Sequence, residues 1–214
     1  MANKVIVLCC ALCCIFTLHA EQRAPKASVI MKKAAKVLQN GGVSASFDII
    51  QTTNGKASEV LQGSIKMQAG CFMIYTPVSR TWYDGESQWS YLKENEEVTW
   101  TCPTKEELYD VNPYSYILDY ARAYRLGEAN SVKYQNDDVY CVPLTAKDQD
   151  NMVKQVYVYV SPKNDQVLYV VLHEESQGET QIKVNDFKNG LQFDKATFRY
   201  DDGQIPDVDL IDLR

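Results

Sequence analysis

The sequence predicts a mainly β protein, built on one large antiparallel sheet with two main helices. Segments that are apolar, or that alternate between apolar and polar residues, recur from Val43 onward and number about ten or eleven. Turn dipeptides such as Asn54-Gly55 and Asp84-Gly85 separate neighbouring segments, which is typical of consecutive strands paired as hairpins. Only residues 25–39 and a mid-chain stretch have helical patterns instead. A single sheet of so many strands tends to curl.

Residues 1–20 have the pattern of a secretory signal peptide. Lys4 supplies a short basic region, residues 5–18 are apolar, and Ala20 is a small residue at the predicted cleavage site. A transmembrane anchor would require about 20 apolar residues, and a lipoprotein signal would require small residues just before its cysteine. We therefore expect an exported, soluble protein in which residues 21–214 form a single domain.

The first helix is predicted over residues 25–39 and ends at Asn40-Gly41-Gly42. It either packs on the sheet or plugs the mouth of a cavity. Strands are predicted before the mid-chain stretch over residues 43–53, 57–68, 71–76, the hairpin 80–91 and 97–102. They resume over residues 132–135, 138–144, 153–160, 166–173, 179–186 and 197–200, and an acidic tail follows over residues 207–214.

The mid-chain stretch is polar and compatible with a helix over residues 105–110, and a longer helix is predicted over residues 113–126. Asn112 is suited to cap it and Pro113 to occupy its first position. Tyr114, Ile117 and Leu118 lie roughly on one side of this helix. The helix either crosses over and packs on the sheet, or it forms a lid over an aromatic face.

The hairpin over residues 80–91 has large aromatic side chains in both arms, and two of the chain's three tryptophans lie in it. The preceding strand, residues 71–75, is apolar on both faces. With 14 tyrosines and 6 phenylalanines in the chain, such a sheet needs a cover, which is either its own core or a ligand. An acyl chain would suit it, because each buried methylene contributes about 0.8 kcal/mol.

Composition excludes several other functions. The net charge is −6, or −7 once Lys4 is removed, and there are no basic runs, which argues against nucleic acid and anionic membrane surfaces. Beyond the signal, Cys71, Cys102 and Cys141 lie in strand-like runs and allow at most one disulfide, so we favour buried thiols. His173 is the one histidine left, which disfavours a histidine metal site or a catalytic triad.

No motif for catalysis is present. Paired carboxylates such as Glu96-Glu97 and Glu174-Glu175 fall at turns or exposed ends, where charges are usually solvated. We find no phosphate-binding loop, dinucleotide fingerprint, nucleophile elbow or cysteine pair at metal-ligand spacing. We therefore predict no catalytic residue, no metal ligand and no cofactor, and hence not an enzyme. A hydrolase acting on envelope polymers is the least favoured alternative.

Several short motifs occur in an order that is similar to that of a known family. They follow the first helix and span most of the chain: Ala45-Ser46-Phe47, Leu61-Gln62-Gly63-Ser64-Ile65, residues 71–75, Tyr83-Asp84-Gly85, Trp89-Ser90-Tyr91, Asn112-Pro113, the strands around Leu144 and over residues 153–160, and Thr197-Phe198. In this order, after an export signal, the chain resembles the LolA-type carriers of outer-membrane lipoproteins.

The resemblance implies an unclosed β-barrel whose helices form a lid, and a hydrophobic cavity that shields lipoprotein acyl chains in the periplasm. It implies a monomer with acylated lipoproteins as cargo, an inner-membrane ABC transporter that loads it, and a possible outer-membrane acceptor. The side chains that we expect to line the cavity and lid are large and apolar: Phe47, Ile49, Ile65, Met67, Met73, Tyr75, Trp82, Trp89, Tyr91, Trp100, Tyr114, Ile117 and Leu118.

The chain departs from the family at one position. The family commonly has an Arg-Pro pair just before the strand equivalent to residues 71–75, and that arginine latches the lid. Here Ala69-Gly70 occupy the position, and Arg80 is the nearest candidate to replace the arginine. The alternative function is a periplasmic sensor or partner-binding module on the same scaffold, with the acidic tail as its contact.

Overall fold

The computed structural model describes residues 24–105, 107–175, 178–205 and 207–214. The predicted signal peptide and its cleavage after Ala20 lie outside these residues. The described part of the chain contains one long helix, three short ones and a 3-10 helix near the end: α1 (Ala27–Gln39), α2 (Glu107–Val111), α3 (Ser115–Leu118), α4 (Tyr120–Ala123) and the 3-10 helix (Lys195–Phe198).

Fourteen strands form one sheet within the described residues. In chain order they are β1 (Gly42–Thr53), β2 (Lys56–Ala57), β3 (Leu61–Gln68), β4 (Cys71–Tyr75), β5 (Ser79–Tyr83), β6 (Gln88–Leu92), β7 (Glu97–Thr101), β8 (Tyr124–Leu126), β9 (Asn130–Tyr134), β10 (Asp137–Ala146), β11 (Val153–Val160), β12 (Val167–Glu174), β13 (Glu179–Leu191) and β14 (Asp209–Asp212).

The strands are neighbours in the order β14-β7-β6-β5-β4-β3-β1-β13-β12-β11-β10-β8, with β2 beside β1 and β9 beside β10. Among the described strands the pairs are antiparallel, except that β14 runs parallel to β7. The two ends of this order, β14 and β8, do not pair, so the sheet is not closed. The predicted fold, a large unclosed sheet with an N-terminal helix and a mid-chain helical cover, is confirmed.

Short-range turn chemistry explains why consecutive strands pair. Asn54 and Gly55 both have positive φ angles, 52° and 75°, as a tight hairpin turn requires. In the aromatic hairpin the Asp84 carboxylate accepts hydrogen bonds from the backbone N–H groups of Glu86 and Ser87, at 3.1 and 2.9 Å. The predicted hairpin is therefore confirmed. The strand predicted over residues 57–68 is interrupted, because β2 ends at Ala57 and β3 begins at Leu61.

Helix α1 packs against the sheet, which was one of the two predictions for it; the other was a plug at the mouth of a cavity. Ile30, Met31, Ala34 and Leu38 are spaced three or four residues apart along the helix and are buried. The helix contacts β1, β10 and α3. We call the side of the sheet that carries α1 the inner face, and the opposite side the outer face.

The prediction of a single helix over residues 113–126 is wrong. The chain forms α3 and α4 instead, separated at Asp119, whose φ and ψ angles of −130° and 21° are not helical. Residues 124–126 form β8, which pairs with β10, and Tyr124 is buried with its hydroxyl donating to the Val153 carbonyl at 3.2 Å. Strand pairing and burial thus override local helix propensity. The predicted capping role of Asn112 is also wrong, because α3 begins at Ser115 with Tyr114 as its N-cap. The Asn112 Oδ1 instead accepts from the Tyr114 N–H at 3.0 Å, in the turn before the helix.

The end of the chain also differs from the prediction. Residues 195–198 form a 3-10 helix where a strand was expected, because the Asp194 carboxylate accepts the Ala196 N–H at 2.8 Å and begins a turn. The acidic tail, with no strand predicted in it, contributes β14 to the edge of the sheet. The three cysteines within the described residues are free thiols. Cys71 and Cys141 are half-buried, and the expectation of burial is wrong for Cys102, which is exposed.

The carboxyl group of Asp212 is expected to titrate at a pKa of about 2, below its ordinary value of 3.8, because the Arg214 side chain and backbone donate hydrogen bonds to it. A depressed pKa stabilises the fold above pH 3.8, and this contribution is lost as the pH falls towards 2. Carboxyl NMR shifts followed against pH measure the midpoint. Arg214→Gln is expected to return it towards the ordinary value, and an unchanged midpoint would contradict the assignment.

Apolar side chains form two separate clusters, one on each face of the sheet. The inner core is shared by α1, the mid-chain helices and strands including β1, β3, β4 and β10–β13. The outer cluster consists of Trp82, Trp89, Val98 and Tyr200, with Met73, Tyr91, Trp100, Ile205 and Val208 packed against it. Two apolar surfaces are therefore present, and they do not share one enclosed space.

Candidate functional site

The inner face of the sheet carries a cavity of about 380 Å³ beneath the mid-chain helices. We call it the inner cavity. Its volume falls within the range of about 300–1,000 Å³ that is common for small-molecule sites. It is lined by Phe47, Ile49, Gln51, Ile74, Thr76, Ser79, Thr81, Val111, Pro113, Tyr116, Val153, Leu172, Glu174, Thr180 and Ile182.

Strand alternation decides which side chains reach the inner cavity. On β1, Ala45 and Phe47 are buried and Ile49 packs on the same cluster, as the alternation in the sequence predicts. On β4 the register places Ile74 opposite Thr81, and both line the cavity. The aliphatic side chains of β12 and β13 complete the wall from the far side.

Gly63 makes room for one wall of the inner cavity. A Cβ atom at this position would lie 2.4 Å from the Phe47 ring and 2.7 Å from the Tyr75 carbonyl oxygen. The glycine pairs with Phe47 in the β1–β3 register, so the ring lies directly over it. The position of Phe47 at the cavity therefore requires a residue without a side chain, Gly63, at the paired position on β3.

Gly63→Ala is expected to lower the free energy of unfolding by about 1–3 kcal/mol, because the added methyl group must displace the Phe47 ring or the backbone. Urea denaturation measures the change. Gly203→Ala is the matched control, since a Cβ there meets nothing within 4 Å. Equal stability of the two variants would show that the close approach at Gly63 is readily relieved.

A larger groove of about 1010 Å³ adjoins the inner cavity, and Tyr116 and Val153 line both. We call it the side groove. Its wall includes charged side chains, among them Lys147, Asp148 and Asp150 on the loop before β11. Lys147 Nζ donates to the carbonyl of Ala121, within α4. The side groove thus joins the apolar cavity to a charged, water-facing surface.

Polar contacts help to hold the mid-chain helices over the inner cavity. Asn112 Nδ2 lies 3.8 Å from the Met67 sulfur, and the Lys147 N–H donates to the Ala123 carbonyl at 2.8 Å. Ala69 and Gly70, at the family's Arg-Pro position, form a turn with φ angles of 52° and 85°. Arg80 lies on the outer face over Tyr75 and does not replace the missing arginine.

The polar groups of the inner cavity are mostly uncharged. Thr76, Ser79 and Thr81 contribute hydroxyls, and the Glu174 carboxylate accepts the Thr180 hydroxyl at 3.4 Å. Tyr114 lies in the inner core and does not line the cavity. Burial raises the pKa of its hydroxyl well above the ordinary value, so this phenol stays neutral. His173 alternates with Glu174 and lies on the outer face against Tyr157, away from the cavity. The wall is therefore suited to hold an apolar chain without reacting with it.

The thirteen residues expected to line one cavity are divided between the two faces. Phe47 and Ile49 line the inner cavity. Five more lie in or against the inner core without lining it: Ile65, Met67, Tyr114, Ile117 and Leu118. Another five lie in or against the outer cluster: Met73, Trp82, Trp89, Tyr91 and Trp100. Tyr75 is exposed on the outer face, where Arg80 stacks on it.

Sequence reasoning missed most of the cavity wall. Ile74 was overlooked because residues 71–75 are apolar at every position, and only pairing with β3 and β5 decides which face is inner. Val153, Leu172 and Ile182 were predicted to lie in strands, but nothing local indicates that three strands bring them to one cavity. The alternation of Leu172 with Val171 and His173 could have indicated that Leu172 faces the other side of the sheet from its neighbours, but this signal is weak.

No helix among the described residues has the length and apolar content that crossing a membrane requires. Within the same residues we find no group of three or more histidine, cysteine, aspartate or glutamate side chains placed to bind a metal ion.

The fold of this chain is similar to that of several solved structures. The chain is similar to an uncharacterized conserved protein from Thermus thermophilus, with 14% identity, a TM-score of 0.57, and coverage of 87% of this chain and 98% of that one. It is also similar to a DUF1329 family protein from Desulfovibrio piger, with 10% identity, a TM-score of 0.51, and coverage of 86% and 100%. At these identities the likeness concerns the fold alone.

A LolA superfamily protein from Nitrosomonas europaea aligns over 83% of this chain and 99% of its own, with 11% identity and a TM-score of 0.45. No curated protein matches the sequence. The family described as outer membrane lipoprotein carrier protein LolA matches residues 17–174, which is most of the chain. The chain therefore belongs to the LolA family of outer membrane lipoprotein carrier proteins.

Proposed function

We propose that this protein is a periplasmic carrier that binds the acyl chains of lipoproteins in the inner cavity and ferries them from the inner to the outer membrane. The observation that carries the proposal is an apolar cavity of about 380 Å³ beneath the mid-chain helices of a chain of this family. Residues 1–20 are proposed to direct export and to be removed after Ala20. Residues 21–214 then act as one domain and as a monomer.

The energetics suit a reversible carrier. Each buried methylene contributes about 0.8 kcal/mol, so ten methylenes give a gross gain of about 8 kcal/mol. That is about the binding free energy of a micromolar complex, before the costs of association and ordering are subtracted. An acyl chain is therefore bound without any covalent or charged contact, and it can be transferred to a second apolar site.

The loading and unloading steps depend on the mid-chain helices. We propose that they lift from the inner cavity as cargo enters, since the turn at Ala69 and Gly70 provides no arginine latch. An inner-membrane ABC transporter is the proposed donor of cargo, and an outer-membrane acceptor the proposed recipient. The side groove offers water-facing space for the peptide end of a lipoprotein.

Native mass spectrometry of the protein purified from its own cells tests the proposal. We expect a co-purifying acylated lipoprotein or a free acyl lipid at about one per chain, identified after denaturation. The apo protein is then mixed with a synthetic triacylated lipopeptide in detergent, and the non-acylated peptide is the control. A clean apo mass with no uptake of the lipopeptide would contradict the carrier function and favour a partner-binding module.

A further inference from the structure

The inner cavity has a charged group at one end of its largely apolar wall. Among the described residues that line the cavity, Glu174 is the only acidic or basic one. It is half-buried and ends β12, two positions after Leu172, which lines the same cavity. A carboxylate in such a place loses part of its hydration when an acyl chain fills the cavity, so its charge affects which ligands bind.

The position of Glu174 marks the mouth of the inner cavity. Along β1 the wall changes from buried Phe47 through half-buried Ile49 to exposed Gln51, so the cavity opens towards water at this end. Gln51 is paired with Thr180, whose hydroxyl donates to the Glu174 carboxylate at 3.4 Å. Three polar side chains therefore lie together where the head group of a bound amphiphile would emerge.

The mouth is also where the inner cavity meets the side groove. Val153 lines both spaces, and it is paired with Glu174 between β11 and β12. On the carrier function proposed above, the acyl chains of a lipoprotein occupy the inner cavity and its peptide leaves through the side groove. The acylated N-terminal residue, which joins the two, then lies beside the Glu174 carboxylate.

The Glu174 carboxylate has capacity for a further hydrogen-bond donor. An ionised carboxylate accepts about four hydrogen bonds, and within the described chain the Thr180 hydroxyl donates one to it. The neighbouring basic side chain on β11, Lys154, is paired with Glu175 at 3.0 Å instead. A cationic head group at the mouth would therefore find a carboxylate that is not already neutralised by Lys154.

We propose, on the basis of the carrier function, that Glu174 binds the free α-ammonium group of a diacylated lipoprotein and thereby favours this cargo over one with an acylated N-terminus. In both cargoes the glyceryl-linked chains are attached to the sulfur of the N-terminal cysteine, a few bonds from the α-nitrogen. A free α-ammonium donates charge-assisted hydrogen bonds to a carboxylate. An amide nitrogen has no charge, so the carboxylate loses water without compensation.

Two lipopeptides that differ by one acetyl group test the proposal. Both have a dioctanoylglyceryl cysteine and a dye at the far end of the same peptide; one has a free N-terminus, and the other is acetylated there. Binding is followed by fluorescence anisotropy at pH 7, where an α-amino group with a pKa of about 8 is mainly protonated. We expect the lipopeptide with the free amine to bind about fivefold or more tightly.

Glu174→Gln removes the charge and keeps the size of the side chain. We expect this variant to reduce the preference for the free amine to less than about twofold, mainly by weakening its binding. Glu175→Gln is the matched control, because Glu175 is adjacent, exposed and outside the cavity lining, and it should retain the preference. The comparison of the two lipopeptides on the unmodified protein stays decisive even if a variant folds poorly.

Phosphatidylethanolamine is another source of a primary ammonium group. Its phosphate lies next to the ammonium, and the Glu174 carboxylate would repel that phosphate. Dioctanoyl phosphatidylethanolamine is therefore expected to displace the dye-labelled lipopeptide less well than an unlabelled copy of the same lipopeptide does. Equal or better displacement by the phospholipid, abolished in Glu174→Gln, would assign the mouth to a phospholipid and overturn the proposal.

Two further results would overturn the proposal: equal affinities of the unmodified protein for the two lipopeptides, or a preference that Glu174→Gln leaves intact. Tight and equal binding of both lipopeptides leaves the carrier function standing and removes the role of Glu174. Binding of neither lipopeptide contradicts the carrier function itself. The two proposals therefore fail in distinguishable ways.

Discussion

Thr81→Trp is expected to lower the affinity for an acyl chain by about tenfold or more. Thr81 is half-buried on β5 and its side chain lines the inner cavity, so an indole there fills space that the chain would occupy. Exclusion of only two methylenes costs about 1.6 kcal/mol. That is more than about tenfold in the dissociation constant. Tryptophan suits a strand, so the fold is expected to be retained.

Titration with a fluorescent fatty acid measures this effect, with the circular dichroism spectrum as the check on folding. Thr145→Trp is the matched control, because Thr145 is exposed on β10 and does not line the inner cavity. It introduces the same side chain without reducing the volume of the site. If both variants bind the fatty acid as tightly as the unmodified protein, the acyl chain occupies another place.

Trp82→Ala is expected to lower the free energy of unfolding by about 3–5 kcal/mol, which is the usual cost of removing a large buried aromatic ring. Trp82 is 1% exposed and pairs across strands with both Met73 and Trp89. Its ring also contacts Tyr200, with the centroids 5.4 Å apart. Its loss therefore removes one of the contacts that hold Tyr200 against the sheet.

Chemical denaturation followed by far-ultraviolet circular dichroism gives the free energy for Trp82→Ala, and Trp82→Phe is the control that keeps most of the buried volume. We expect Trp82→Phe to cost clearly less than Trp82→Ala. A loss below about 1 kcal/mol for Trp82→Ala would indicate that the outer cluster collapses into the space left by the ring and contributes little to stability.

The sheet could be predicted from the sequence because its pairing is local. Asn54-Gly55 and Asp84-Gly85 identify hairpins, and residues 153–160 were predicted with the bounds that the structure has. Residues 124–126 could not be predicted in the same way. They follow a helical pattern, and pairing with β10, about twenty residues later in the chain, makes them a strand.

The inner cavity was less predictable than the sheet. The sequence indicates that residues 71–75 and the aromatic hairpin need a cover, but it does not show that each is covered on both faces by different clusters. Trp82 and Trp89 were expected beside Phe47 because all are large and apolar. The register Met73–Trp82–Trp89–Trp100 places the indoles on the outer face, and such a register requires the paired strands to be known.

An unclosed sheet leaves backbone donors and acceptors free at its two margins, and these attract strands from other molecules. The margin at β7 is occupied by β14, which runs parallel to it and is only four residues long. Asp209 places a negative charge where a second copy would have to approach, and this repulsion disfavours edge-to-edge aggregation. The late parallel strand thus covers one margin of a sheet that does not close on itself, and leaves a short, charged edge there in place of a bare one.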